Sequence, residues 1–130
     1  MKKTQTLISP LYLSRGKKKV KNYWLNLNSY RNWKFHLNNS LKVQFKDELE
    51  LSHLKPIEGK VKVSYTFYYP DKRLRDLDNS MAVISKFTLD ALVETGILED
   101  DNYLNVVEVK ATLGGIDKEY PRCEVEIKEV

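Results

Sequence analysis

Residues 60–96 read KVKVSYTFYYPDKRLRDLDNSMAVISKFTLDALVETG, and two periodicities meet inside this stretch. From Lys60 to Tyr69, Val61, Val63, Tyr65, Phe67 and Tyr69 alternate with Lys60, Lys62, Ser64, Thr66 and Tyr68. That is the period of a strand with one buried face. Pro70 and Asp71 end it. From Ser80 to Thr95, Met81, Ile84, Phe87, Ala91 and Leu92 fall near helical spacing. Asp78 or Asn79 serves as the N-cap and Gly96 as the glycine beyond the last turn. A strand running into an amphipathic helix, in a chain of 130 residues, predicts one small α+β domain spanning residues 1–130.

Beyond Gly96, Ile97-Leu98 leads into Glu99-Asp100-Asp101. Val107, Val109, Ala111 and Leu113 then alternate with polar residues. Gly114-Gly115 opens a turn-rich connection through Pro121, and Cys123, Val125 and Ile127 alternate again. These two runs predict a β-hairpin that closes the domain. On the other side of the stretch, Thr4–Ser14 reads as a strand interrupted at Pro10. Arg15-Gly16-Lys17-Lys18-Lys19-Val20-Lys21-Asn22 reads as an exposed flexible loop, because five cations around a glycine cannot pack in a core. Tyr30, Trp33, Leu37, Leu41 and Phe45 predict one helix from Ser29 to Leu49, with its aromatics turned to the core. His36 and His53 have no neighbour that would make a nucleophile–base pair.

The net charge of +4 hides an asymmetry. Residues 1–46 hold eleven Lys and Arg, Lys2 and Lys3 among them, and no acid. The remaining 84 hold eleven basic residues against eighteen acidic ones. A cationic third beside an anionic remainder suits a polyanion grip next to a metal pocket, although a solvated basic face would have the same composition. Tyr23 and Trp24 lie beside the cationic loop and favour nucleic acid, since aromatic rings stack on bases. There is no run of apolar residues long enough to cross a membrane, and Pro10 interrupts any signal-peptide core. One cysteine and no Cys/His cluster fit a reducing cytoplasm and exclude a zinc site of the usual ligand set.

The acids then carry the chemistry. Asp76 and Asp78 stand two apart before the helix, and Asp100 and Asp101 stand together after it. On an extended backbone, i and i+2 point the same way and could share one cation. Mg²⁺ takes one or two carboxylates, several waters and substrate phosphate oxygens, so the acids suggest a metal site that cuts a phosphodiester. The plainer account makes Asp78 a helix cap and Asp100-Asp101 a loop, but it leaves Asp76 unused. A helix of about sixteen residues is about 24 Å long. Asp101 must therefore return by strand pairing, or the site must lie between two subunits.

Arg73-Leu74-Arg75-Asp76-Leu77-Asp78-Asn79, then Lys86-Phe87-Thr88-Leu89-Asp90-Ala91-Leu92, then Gly96-Ile97-Leu98-Glu99-Asp100-Asp101, resembles the RusA-type Holliday junction resolvases. That family pairs an R-D-x-D-N motif with K-x-x-x-D-A-L, a glycine and a D-D pair. The resemblance is tight over residues 73–101 and looser elsewhere. It implies a mixed β-sheet with packed helices. It also implies a homodimeric endonuclease that uses Mg²⁺, with Mn²⁺ as a substitute, to nick opposite strands of a DNA four-way junction. Carried over, the metal ligands are Asp76, Asp78 and Asp101, and the catalytic lysine is Lys86. Arg15, Lys17, Lys18, Lys19, Lys21, Arg73 and Arg75 would hold flanking phosphates, which position DNA without specifying its sequence. One departure concerns Lys86. The segment between Asn79 and Lys86 is four residues longer than the family spacing, which keeps its helical face but moves it about 6 Å along the axis. A non-catalytic DNA-binding module and a nuclease for flaps or forks are the competing readings.

Overall fold

The computed structural model describes residues 3–130; Lys2, one of the cations counted above, lies outside the described residues. The strand expected at residues 60–69 is the centre of the fold. It is β4, Val61–Tyr69, and its five inward residues are all buried, Val61, Val63, Tyr65 and Phe67 completely. Numbering the rest in chain order gives β1 (Thr4–Ser9), β2 (Tyr12–Arg15), β3 (Lys21–Trp24), α1 (Leu27–Tyr30) and α2 (Phe35–Glu48) before it. After it come α3 (Leu77–Glu94), β5 (Val106–Ile116) and β6 (Arg122–Glu129). The main sheet runs β1-β6-β4-β5, and β2 and β3 form a separate hairpin. β4 and β5 are parallel and the other pairs antiparallel, so the sheet is mixed and the domain α+β as expected.

One face of the sheet is packed. Leu7, Tyr65, Val125 and their alternate neighbours point to it and are buried, while Thr66, Glu124 and Glu126 lie on the opposite, wetter face. Such one-sided burial produces clean alternation in sequence. α3 is seated by two phenol contacts. The Tyr65 hydroxyl donates to Ser85 Oγ at 2.9 Å, and the Tyr69 hydroxyl to Ser80 Oγ at 3.1 Å. Gly96 ends α3 at φ +80°, the left-handed region a glycine enters without steric cost. Cys123 is fully buried on the inner face, and burial pushes its thiol well above the usual range.

Four expectations change. The helix expected over Ser29–Leu49 is two helices. Asn26 caps α1 by accepting from the Ser29 amide at 2.8 Å, and tight bonds from Asn32 and Trp33 back to Ser29 and Tyr30 close it. Trp33, in the break, meets Tyr23, Tyr30 and Phe87 at ring separations of 6.5, 5.8 and 6.5 Å. Second, the cationic loop is the tip of a hairpin: Arg15 and Lys21 are a pair in the β2–β3 ladder. Third, α3 starts at Leu77 with Asp76 as N-cap, so Asp78 lies inside the first turn.

Fourth, β5 and β6 are not a hairpin. They flank β4, which buries its inner side chains only with a neighbour on each edge. Gly114 and Gly115 do not turn the chain but continue β5. Gly114 is needed where it stands, because a Cβ there would lie 2.5 Å from Cζ of Tyr68 and 2.8 Å from the Thr66 methyl. The Tyr68 ring is held from its other side by the Arg122 guanidinium at 4.1 Å. Gly114→Ala is therefore expected to destabilise the fold by about 1–3 kcal/mol, the usual cost of overpacking, in a urea titration of the variant.

Candidate metal and DNA site

The β4–α3 connection builds the first part of the site. Asp71 organises it. Its Oδ1 accepts from the Arg73 amide at 3.0 Å and from Arg75 Nη1 at 2.8 Å, and these bonds hold its carboxyl below the usual carboxylate range. The Arg75 guanidinium stacks against Trp24 at 5.2 Å and Tyr69 at 4.9 Å. Arg75, expected on a phosphate, is thus tucked between two rings and fixes the turn. Arg73 is exposed and Leu74 fully so.

The turn delivers Asp76 to the head of α3 on an extended backbone, with its carboxylate accepting from none of the helix's first amides. Asp78 sits in the first turn, where the free amides of a helix start favour an anion. Asn79 joins the two. Its Nδ2 donates to Asp76 Oδ2 at 3.4 Å, and its amide donates to Asp78 Oδ1 at 2.9 Å. In the sequence Asn79 is a candidate N-cap and a member of the R-D-x-D-N motif, with no part in holding the acidic pair. Both carboxylates are exposed. Among the described residues the ion pairs use Asp71, Asp90, Glu94, Asp117 and Glu124, and neither Asp76 nor Asp78. Asp76 borders a cavity of about 310 Å³ lined by Trp24, Asn26, Asn28, Arg75 and Asn79. Nothing in the local sequence pattern of Asn26 and Asn28 points to the cavity that the β3–α1 turn brings them to.

Asp101 is elsewhere. It follows the far end of α3, whose eighteen residues span about 27 Å. Its amide donates to Asp100 Oδ1 at 2.7 Å. Partial desolvation, and then the neighbouring carboxylates of Asp100 and Asp90, raise its carboxyl above the usual range. Among the described residues no three acids, histidines or cysteines gather closely enough to hold a metal. The structure therefore brings Asp76 and Asp78 together and leaves Asp101 apart. Lys86 is exposed on α3, eight residues and about 12 Å beyond Asp78, with Ala82 one turn in. Asp90, its neighbour in the motif, pairs instead with Lys42 at 2.8 Å.

The cations divide. Lys17, Lys18 and Lys19 are exposed at the hairpin tip, and Lys21 lies over the Tyr23 ring at 4.9 Å. Gly16 makes the tip possible, at φ +113° and with the Lys19 carbonyl oxygen where its Cβ would be. Arg15 is turned onto α2, donating to Gln44 Oε1 at 2.6 Å and Ser40 Oγ at 2.7 Å, and anchors the hairpin. The base of the same hairpin is Trp24, on the wall of the cavity beside Asp76. Three lysines thus stand about 15–20 Å from Trp24 along one ribbon whose base borders the cavity beside Asp76.

No helix is long and apolar enough to cross a membrane among the described residues. No curated protein matches the chain. A family model described as "Endodeoxyribonuclease RusA" matches residues 13–128.

Proposed function

The chain belongs to the endodeoxyribonuclease RusA family, and on that premise we propose that it resolves DNA four-way junctions by paired, symmetrical nicks with Mg²⁺, or Mn²⁺ in its place. The observation that carries the reading is the pair Asp76 and Asp78: two exposed carboxylates, unpaired by any cation among the described residues, joined through Asn79 beside a polar cavity. Their chemistry fits a hard divalent cation, which prefers carboxylate, water and phosphate oxygens. When bound, such an ion supplies an activated water and stabilises the leaving oxygen of the phosphodiester.

The protein's part is placement. Asp76 and Asp78 hold the ion. Arg75 keeps the turn rigid from between Trp24 and Tyr69, and Asn79 keeps the two carboxylates in register. Arg73 and the lysines at residues 17–19 bind flanking phosphates and set the strand across the cavity. Lys86 stands two turns along the helix, so in this chain it meets DNA further along the strand rather than the scissile phosphate. The third carboxylate, Asp101, comes from a second copy of the chain, since its own lies a helix length away. A two-fold dimer then holds two identical sites, which suits two opposed strands of a junction.

The test compares four-way, forked and linear DNA at one salt concentration with Mg²⁺. Paired nicks on the four-way junction and little product on linear duplex are expected. Equal cleavage of forks would move the substrate to branched DNA in general. Salt-sensitive binding with no Mg²⁺-dependent product would leave a DNA-binding module.

A further inference from the structure

The two edges of the main sheet are treated differently. At β1 the chain covers its own edge. His53 Nε2 donates to the Thr6 carbonyl at 2.7 Å, and the Gln5 side chain exchanges bonds of 3.0 and 2.7 Å with the Lys55 backbone. At β5 nothing does so: among the described residues, 107–115 bond only to β4. Yet β5 has eleven residues, no proline, and an exposed apolar row of Val107, Val109, Leu113 and Ile116, 41–55% accessible. Tyr103 and Leu104, just before the strand, are more exposed still. A long edge with an exposed apolar row is a pairing hazard that chains usually blunt, as this one does at β1.

We propose that β5 pairs antiparallel with β5 of a second copy, about a two-fold through Val109. This rests on the dimer invoked above and names its surface. A two-fold contact must be self-complementary, and β5 carries two charges, Glu108 and Lys110, one on each side of Val109. Centring the two-fold there sets each Glu108 opposite the partner's Lys110, and Val109 opposite the partner's Val109. Neither charge has an ion-pair partner within the described chain. A two-fold through Ala111 would instead oppose Lys110 to Thr112 and Glu108 to Gly114, leaving both unmatched. The same register ends the new ladder with Val106 opposite the partner's Thr112 and joins the two sheets into one. The two α3 helices then lie antiparallel on one face, and the end bearing Asp76 faces the partner's end bearing Asp101.

Full-length protein is measured by light scattering across a concentration series, with a cysteine cross-link as a second readout. Wild type is expected at twice the chain mass. Lys110→Glu puts like charges together twice and is expected to weaken the dimer about tenfold or more. Glu108→Lys with Lys110→Glu restores it. Val109→Cys, whose thiol would face its own copy, is expected to oxidise to a covalent dimer, while Val107→Cys, opposite Ala111, does not. A wild-type dimer that Lys110→Glu leaves intact, and that Val109→Cys fails to cross-link, overturns this interface while the dimer stands. A wild-type monomer that still makes paired nicks overturns both.

Discussion

Asp76→Asn is expected to reduce Mg²⁺-dependent junction cleavage by about 10³-fold while junction binding stays within about twofold. The change keeps the shape of the side chain and removes its charge. The Asp76 carboxylate accepts from no backbone amide of α3, and its side-chain hydrogen bond among the described residues is the long 3.4 Å approach of Asn79 Nδ2. The fold thus has little to lose, and thermal unfolding of the variant is expected to match wild type. Binding should survive because the substitution leaves unchanged the cations proposed to hold phosphates, the lysines at residues 17–19 and Arg73. Cleavage within tenfold of wild type would remove Asp76 from the metal site. Arg75 provides the contrast. Arg75→Ala takes a guanidinium out from between Trp24 and Tyr69 and frees Asp71, so it disturbs the turn itself, and its loss would not separate chemistry from folding.

Much of the fold could be read from β4 and α3 because both carry a single strong period. β4 has five inward residues that are all buried, and alternation records that directly. Gly96 marks the end of α3 because its φ of +80° is one that residues with a Cβ rarely adopt. What failed was non-local. Trp33 sits at helical spacing from Tyr30 and Leu37, yet the chain breaks there because Tyr23 and Phe87, from other elements, hold its ring. β5 and β6 have the alternation of a hairpin, and only their competition for the two edges of β4 separates them. Gly114 looks like a turn residue and is a packing residue, its missing Cβ filled by Tyr68.

The site divides in the same way. The acidic pair is one short run and the cationic tip another, and the chemistry of each could be read within its own run. Arg15 and Arg75 were counted with the free cations because charge alone does not reveal a partner. Gln44 and Ser40 claim the first, and two aromatic rings and Asp71 claim the second. Asp101 is the harder case. The length of α3 already separates it from Asp76 in sequence, and the three-dimensional arrangement keeps that separation. In the proposed dimer a second chain removes it.

That separation makes a prediction that no site confined to one chain would share. Asp76→Asn and Asp101→Asn are each expected to be inactive alone. Mixed after unfolding and refolding together, they are expected to recover nicking. In the mixed dimer one site combines both substitutions, and the other combines an intact Asp76 with an intact Asp101. Random assortment makes half the dimers mixed, each with one working site of two, so about a quarter of wild-type sites return. Because those dimers hold one site, they should nick one strand and release few resolved duplexes, which a denaturing gel beside a native gel would separate. If both carboxylates served one site within a chain, every site in the mixture would still lack one of them, and nicking would stay at the level of the single variants. Adding Lys110→Glu to both chains should abolish the recovery, because the shared site exists only while β5 is paired.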